Sequence, residues 1–192
     1  YIFGKSSTGK DTIYRKIAED TTLDLKNIVM YTTRPIRDGE QDGNTYYFVT
    51  ENRFEELKEA GKIIEDRAYH TVHGLWRYFT VDDGQIDLEN NDYFIIGVLQ
   101  SYLSTKAYFG KDKVVPIYIE LDDGIRLQRA LDREKKPENR KFAEMCRRYL
   151  ADAEDFSEEK LIKADIGKRF INEDLEKCVS EIKQFIRTDD LQ

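Results

Sequence analysis

The sequence has few cysteines and prolines, and it lacks the run of roughly 18 apolar residues that a membrane span requires. The two cysteines, Cys146 and Cys178, fall inside helical patterns without metal-ligand or C-x-x-C spacing. We therefore expect packing residues in a reducing compartment and a cytoplasmic protein. The formal net charge of −7 also leaves the chain without the basic excess typical of nucleic-acid binding. These absences argue against membrane and nucleic-acid partners.

Length and composition predict a single globular domain. A chain of 192 residues with 40% hydrophobic and 36% charged residues can bury a sizeable core. The chain begins with Tyr1, so we expect its initiator end to be missing and any targeting segment to lie outside this sequence.

A glycine-rich stretch near the beginning gives the first chemical signal. Gly4, Gly9 and Lys10 fit the pattern G-x-x-x-x-G-K-[ST], in which backbone N–H groups surround phosphates and the lysine reaches them. Asp11 stands at the position of the hydroxyl residue that binds magnesium, and Thr12 follows one place later. The pattern predicts a phosphate-binding loop followed by a helix.

Strands and helices alternate along the chain, which predicts an α/β fold with a mostly parallel sheet. Residues 28–31, 93–99 and 114–121 are apolar runs of the kind found in strands that are covered on both faces. Residues 32–80 contain turn signals and predict a small α/β excursion from the main sheet. The polar tract over residues 134–141 predicts an exposed lid tip.

The pattern T-T-R-x-x-R-x-G-E over residues 32–40 resembles the guanylate kinase family. The resemblance covers essentially the whole chain, continuing through residues 42–49, 64–65, 78–80 and 170–175. It implies a P-loop NTPase-type parallel sheet with flanking helices, a small subdomain that binds a nucleoside monophosphate (NMP), and a helical lid. The implied core comprises residues 1–31, 81–123 and 157–192, the NMP-binding subdomain residues 32–80, and the lid about residues 124–156.

The resemblance also implies a magnesium-dependent kinase that transfers the γ-phosphoryl group of ATP to GMP. The residues implied on the ATP side are Gly4, Lys5, Ser6, Ser7, Thr8, Gly9, Lys10, Asp11, Thr12 and Asn172. Those implied on the GMP side are Arg34, Arg37, Glu40, Tyr46, Glu65, Tyr78 and Thr80. Those implied in catalysis are Lys10, Arg34, Arg133 and Arg147, with Arg148 as the alternative to Arg147.

These residue types suit the reaction that the resemblance implies. Arginine forks bind phosphate oxygens in pairs, and phosphoryl transfer depends mainly on positioning and charge stabilisation. A carboxylate such as Glu65 can accept from N1–H and the exocyclic amine of guanine, a donor pair that adenine does not present. Tyr46 and Tyr78 either contact the phosphate or pack in the small sheet. Asn172 either contacts the nucleotide or caps a helix.

The chain departs from the family pattern at two places. The strand that carries acidic residues in the family, in contact with magnesium or the guanine amine, has Ile96 and Val98 here. Asp11 is therefore a candidate magnesium ligand, although it could serve only to favour the helix N-terminus. Residues 66–77 form a longer segment than in the family. It contains both histidines and Trp76, and we expect it to line the acceptor pocket without binding a metal.

Two further functions stay open at this point. The changes at residues 66–77 and in the acidic strand could favour another acceptor, such as dGMP, another nucleotide or a phosphorylated sugar. A different class is an inactive guanylate-kinase-like module that binds protein partners. The retained Lys10 and loop glycines argue against that class, because such modules usually lose the ATP cradle.

Overall fold

The computed structural model describes residues 1–71, 74–135 and 141–188. His73 and the tip of the expected lid, residues 136–140, lie outside the described residues. Along the chain the strands are β1 (Ile2–Phe3), β2 (Leu25–Lys26), β3 (Tyr31–Thr32), β4 (Tyr47–Phe48), β5 (Ile63–Thr71), β6 (Gly74–Val81), β7 (Asp92–Tyr93), β8 (Ile96–Gly97), β9 (Ile117–Glu120) and β10 (Arg169–Ile171). The helices are α1 (Lys10–Ala18), α2 (Glu51–Glu59), α3 (Leu99–Phe109), α4 (Asp123–Glu134), α5 (Phe142–Asp155), α6 (Glu158–Lys163) and α7 (Leu175–Arg187).

The strand that leads into the glycine-rich loop, β1, lies inside a parallel sheet, which we call the core sheet. Its strands lie in the order β10-β9-β1-β8, and every neighbouring pair is parallel. Parallel neighbours need crossover connections, so helices cover the faces of the sheet. The α/β fold predicted from the alternation of strands and helices is confirmed.

Alternate residues of β1 point to opposite faces of the core sheet. Ile2 packs with apolar residues of α1 and α7, including Ile13 and Ile182. Phe3 packs on the other face with residues of α3 and α6, including Tyr102. Because both faces of β1 are buried, the strand holds the start of the glycine-rich loop in a fixed position.

A second sheet, which we call the small sheet, has its strands in the order β4-β3-β6-β5. Strands β5 and β6 form an antiparallel hairpin, and the long segment of residues 66–77 extends both strands of that hairpin. Helix α2 covers one face, where the rings of Phe54 and Phe79 lie 4.9 Å apart between centroids. The opposite face is left for the side chains that alternate with Phe79.

The strand expected over residues 28–31 is shorter than predicted and belongs to the small sheet. Strand β3 contains only Tyr31 and Thr32, which pair with β4 and β6. Ahead of it, the Val29 amide donates to Gln85 Oε1 at 2.8 Å, and Gln85 Nε2 donates to the Val29 carbonyl at 3.2 Å. The side-chain amide of Gln85 thus pairs with both the N–H and the C=O of Val29, so Val29 needs no partner strand.

The cysteines differ in environment. Cys178 of α7 is buried, and burial raises the pKa of its thiol to about 11. Cys146 of α5 is exposed, so the packing role predicted for it is wrong. The side chain at Cys146 lies on the solvent side of a helix whose buried residue is Met145. None of the helices in the described ranges is long and apolar enough to cross a membrane.

Candidate active site

The glycine-rich loop connects β1 to α1, and its two glycines have no space for a side chain. A Cβ atom at Gly4 would lie 2.4 Å from the carbonyl oxygen of Ile119. A Cβ atom at Gly9 would lie 2.4 Å from Nδ2 of Asn172, and Gly9 also has a φ of +88°. Glycine is required at both positions. At Gly4 the reason is the close approach of the backbone, and at Gly9 it is the close approach together with the positive φ. The loop ends at the N-terminus of α1, where backbone N–H groups and the helix dipole favour an anion.

Asn172 fixes this loop from the end of β10. Its Nδ2 donates to the carbonyl oxygen of Thr8 at 2.6 Å, and the residue is only 2% exposed. The interpretation of Asn172 as a helix cap is wrong, because Asp174 caps α7 by accepting from the amide of Lys177 at 2.9 Å. Asn172 therefore sits behind the loop and shapes it.

Arg126 and Asp152 attach α4 and α5 to the same loop. Asp152 Oδ2 accepts from the Ser6 amide at 2.8 Å and from Arg126 Nη1 at 3.1 Å. The same Arg126 nitrogen donates to the carbonyl oxygen of Ser6 at 2.9 Å. Neither residue was predicted from the sequence. Arg126 lies four residues before the buried Ala130, and this helical spacing was the available signal that it shares the buried face of α4.

Lys10 and Asp11 lie next to each other at the start of α1. Lys10 Nζ lies 3.3 Å from Asp11 Oδ2, and the Asp11 side chain is 80% exposed. An exposed carboxylate beside a phosphate-binding loop is a hard oxygen donor of the kind that Mg²⁺ accepts. In the described ranges, no three His, Cys, Asp or Glu side chains converge on a metal position.

The two candidate lid arginines of α5 differ in direction. Arg148 and Arg133 line a small hollow together with Ser6 and Ser7 of the loop. Arg147 instead pairs with Glu144 through two hydrogen bonds of 2.8 Å, and its side chain is 64% exposed. The structure therefore brings Arg148 and Arg133 to the loop and leaves Arg147 on the surface.

A second cationic site lies in the small sheet. Arg34 is buried and makes two hydrogen bonds to Glu40, of 2.7 and 2.5 Å. The Arg34 guanidinium carbon also lies 5.2 Å from the ring centroid of Tyr46 and 5.3 Å from that of Phe48. The carboxylate binds the N–H groups of the guanidinium, and the two rings lie within 5.3 Å of its carbon. Together these contacts fix the direction of the side chain.

The other residues expected at this site surround Arg34. The Arg37 amide donates to Glu40 Oε2 at 2.9 Å, and its guanidinium carbon lies 5.9 Å from the Trp76 ring. The rings of Tyr46 and Tyr78 meet edge to face at 5.7 Å. Arg34, Tyr46 and Tyr78 thus form one cluster whose side chains pack on each other. Arg37 joins this cluster through its backbone amide, while its side chain lies over Trp76.

Glu65 and Thr80 form a buried pair on the hairpin. Thr80 Oγ1 donates to Glu65 Oε1 at 2.8 Å, and Glu65 is 3% exposed. Among the residues that the structure describes, Glu65 Oε2 accepts no hydrogen bond, but it forms an ion pair with Arg67 Nε at 3.4 Å. Burial raises the pKa of Glu65, and it outweighs the opposing effects of Arg67 and Thr80. The pair leaves one carboxylate oxygen free to accept from a ligand.

Arg67 lies beside Glu65 and was not predicted from the sequence. Glu65 is paired with Thr80 and Arg67 with Tyr78 across the hairpin, so these side chains share one face of the sheet. The period of two between Glu65 and Arg67 was the signal that could have found it.

The positions of the missing carboxylates are apolar in the structure as well. Ile96 lies on β8 opposite Ile2 and packs against the core cluster on the α1 side. Val98 precedes α3 and lines a cavity with Arg67. Arg67 and Val98 therefore line the same cavity, and Val98 supplies no carboxylate to it.

A β-strand, a glycine-rich loop with a lysine, and a helix in a parallel sheet define a P-loop nucleotide-binding protein. The profile described as guanylate kinase matches residues 1–75. The guanylate kinase of Wolbachia pipientis wMel is 29% identical over 198 residues, which cover 97% of this chain and 88% of that protein. The guanylate kinase of Brucella melitensis biotype 1 is 30% identical over 192 residues, covering 100% of this chain and 82% of that protein.

A solved structure agrees at the level of the fold. The crystal structure of guanylate kinase from Anaplasma phagocytophilum matches with a TM-score of 0.60 and 23% identity, covering 100% of this chain and 86% of that one. The chain belongs to the guanylate kinase family. The resemblance stated from residues 32–40 is thereby confirmed.

The ion pair between Arg34 and Glu40 predicts a pH-dependent stability. Hydrogen bonding to Arg34 lowers the pKa of Glu40 from 4.5 to about 2. A lowered carboxyl pKa stabilises the folded protein above about pH 4.5, and this contribution is lost as pH falls toward 2. Glu40→Gln should therefore melt at a lower temperature than the wild type at pH 7, and the difference should shrink below pH 4.5.

Thermal melting followed by circular dichroism at pH 7, 5, 4 and 3 measures this difference. Glu59→Gln, at an exposed position of α2, is the control and should differ little from the wild type at any pH. A difference for Glu40→Gln that stays constant with pH would contradict the assignment of the pair.

Proposed function

We propose that this protein transfers the γ-phosphoryl group of ATP to GMP and releases ADP and GDP. The observation that carries the proposal is the pairing of two different sites in one chain. One is a phosphate loop with Lys10, and the other is a buried Arg34 held by Glu40 beside a carboxylate, Glu65, with one free oxygen. The guanylate kinase names of the relatives support the same reaction. A cytoplasmic location fits these substrates and the free cysteines.

The residues suit the demands of phosphoryl transfer. Two phosphates carry strong mutual repulsion, so a kinase must neutralise charge and bring the donor and acceptor oxygens into line. On the donor side, Lys10 and the loop amides bind the β and γ phosphates of ATP. On the acceptor side, Arg34 and Arg37 bind the GMP phosphate, with Tyr46 and Tyr78 as hydroxyl donors. Arg133 and Arg148 add positive charge from the lid helices near the loop.

Glu65 gives the acceptor site its preference for guanine. Its free oxygen can accept from a ring N–H of guanine, whereas adenine presents an unprotonated N1 at the same place. A buried carboxylate without a donor loses its solvation without compensation, so the wrong base is disfavoured. Residues 32–80 act as the NMP-binding subdomain and residues 124–156 as the lid in this proposal.

We further propose that Asp11 contributes an oxygen, directly or through a water, to a Mg²⁺ ion bound with ATP. Mg²⁺ keeps several waters and takes phosphate oxygens with few protein ligands, which suits a single exposed carboxylate. When bound, the ion neutralises charge on the β and γ phosphate oxygens. Lys10 Nζ lies 3.3 Å from Asp11 Oδ2, so the lysine and the carboxylate would act on the same phosphates.

An assay of ADP release over several acceptors tests the reaction. GMP should give the highest turnover among GMP, dGMP, AMP and a sugar phosphate. Lys10→Ala should lower kcat by about 10²-fold or more while GMP affinity changes little, because the lysine acts on the donor side. Lys16→Ala, on the same helix but paired with Glu176, is the control and should keep its activity. An active Lys10→Ala enzyme, or absence of turnover with every acceptor, would exclude the mechanism.

The proposed role of Asp11 predicts a change in magnesium dependence. Asp11→Asn should raise the Mg²⁺ concentration needed for half-maximal turnover by about tenfold, because one negatively charged oxygen ligand is lost. Turnover is measured against Mg²⁺ at saturating ATP and GMP. If only the melting temperature changes and the Mg²⁺ curve stays in place, Asp11 acts only on the helix N-terminus.

The two neighbouring arginines of α5 form a matched pair for a test of the lid. Arg148→Ala should lower kcat by about 10²-fold, because Arg148 lies beside Ser6 and Ser7 of the loop. Arg147→Ala should change kcat less than about threefold, because the Arg147 side chain is 64% exposed and does not line the hollow beside Ser6 and Ser7, although both arginines contact Glu144. Steady-state kinetics with both substrates varied gives the two values. Equal losses, or a larger loss for Arg147→Ala, would contradict the orientation of α5.

A further inference from the structure

A cavity of about 670 Å³ lies between β5, the start of α3 and α6. This volume is within the range of small-molecule sites. Arg67 lines it from β5 and Val98 from the opposite wall, and Lys160 and Lys163 of α6 also contribute to the lining. The cavity therefore combines cationic and apolar lining residues with two carboxylates, Asp66 and Asp155. Glu65 is not part of the lining and lies two residues before Arg67 on β5.

The guanidinium of Arg67 has unused hydrogen-bond donors. Its side chain is only 16% exposed, and its Nε makes no hydrogen bond within the described part of the chain. Nη2 donates to the sulfur of Met30 at 3.6 Å, and a thioether sulfur is a weak acceptor. A buried donor without a good acceptor costs free energy, so this arrangement calls for an acceptor that a ligand supplies.

The free oxygen of Glu65 lies directly beside this guanidinium. Oε2 of Glu65 is 3.4 Å from Arg67 Nε, while Oε1 is already occupied by Thr80. Glu65 Oε2 thus provides a hydrogen-bond acceptor next to the N–H donors of the Arg67 guanidinium. The matching feature on a base is an N–H next to a carbonyl, which in a 6-oxopurine is N1–H beside O6. Arginine N–H groups are well suited to a base carbonyl such as O6.

The wall opposite Arg67 lacks a carboxylate at Val98, a position where the family pattern carries an acid. The carboxylates that do line the cavity, Asp66 and Asp155, come from β5 and the end of α5 instead. We propose that Arg67 is a specificity-determining residue that binds the 6-oxo group, and that the site selects the N1–H and O6 edge instead of the 2-amino group. This inference rests on the proposed function, since it concerns the acceptor of the same reaction.

Three nucleotides distinguish recognition of the 6-oxo group from recognition of the 2-amino group. GMP has the 6-oxo and the 2-amino group, IMP has only the 6-oxo group, and 2,6-diaminopurine riboside monophosphate has only the 2-amino group. The wild type should use IMP with a kcat/KM within about tenfold of that for GMP. It should use the diaminopurine nucleotide about 10²-fold or more less well, because both Glu65 and Arg67 would lose their partners.

The variant Arg67→Met tests the residue itself. It should lower kcat/KM for GMP and for IMP by about 10²-fold and affect the diaminopurine nucleotide far less, so that the discrimination becomes smaller. Arg67→Lys should recover part of the loss. Arg77→Met is the matched control, because Arg77 lies on the same hairpin but stacks on Phe54 and pairs with Glu51. It should leave the ratios between the three nucleotides unchanged.

Two outcomes would overturn the inference. One is an equal change for all three nucleotides in Arg67→Met, which a general disturbance of the fold or of phosphate binding would give. The other is rejection of IMP by more than about 10²-fold relative to GMP in the wild type, which would mean that the 2-amino group is bound elsewhere. If the wild type turns over none of the three, the proposed function fails. Calorimetric binding of the same nucleotides without ATP then still decides the role of Arg67.

Discussion

The parallel pairing of β1 with β8 on one side and β9 on the other is the constraint on which the site depends. It places Ile2 and Phe3 in two separate apolar clusters, so β1 cannot rotate or slip without exposing one of them. It also brings the backbone of Gly4 against Ile119 of β9. The loop therefore leaves the sheet in a direction that packing has already fixed. The polar contacts of Asn172 and Asp152 then hold a loop that is correctly placed.

The small sheet is under a different constraint, because it buries charged side chains. Its α2 face is apolar, centred on Phe54 and Phe79. Its other face carries Glu65 and Arg67, whose charges lie close enough to compensate each other in part. Buried charges are tolerated when they are paired, and an incomplete pair is a place where a ligand gains binding energy. The long hairpin thus provides a rigid support for groups that the folded protein alone does not satisfy.

Local sequence was enough to predict the loop and the α/β class, because each depends on residues close together in the chain or on a distinctive spacing. The residues around Arg34 were implied by the family resemblance of residues 32–40. Arg34 and Glu40 lie six positions apart and are joined within one turn region. Asp152 could not be predicted in the same way, since it meets Ser6 across most of the chain length. A long-range contact of one carboxylate with one backbone amide leaves no periodic signal.

The choice between Arg147 and Arg148 shows a second limit. Neighbouring helical residues point about 100° apart, so the rotation of α5 about its axis decides which of them reaches the loop. That rotation follows from Met145 being buried and from the contact of Arg126 with Tyr149. Residues 66–77 are a third case, because their strands could be recognised only in part from sequence. Their pairing across the hairpin is what put Arg67 on the same face as Glu65.

The carboxylate of Asp152 accepts from both the loop and α4, and it belongs to α5. One acidic group thus connects the loop with α4 and α5. Such sharing makes the arrangement of the loop and that of the helices thermodynamically linked. A ligand that weakens or strengthens the hydrogen bond from Ser6 to Asp152 changes the free energy of α5 in its present position. By reciprocity, a displacement of α5 changes the affinity of the loop for that ligand by the same coupling free energy.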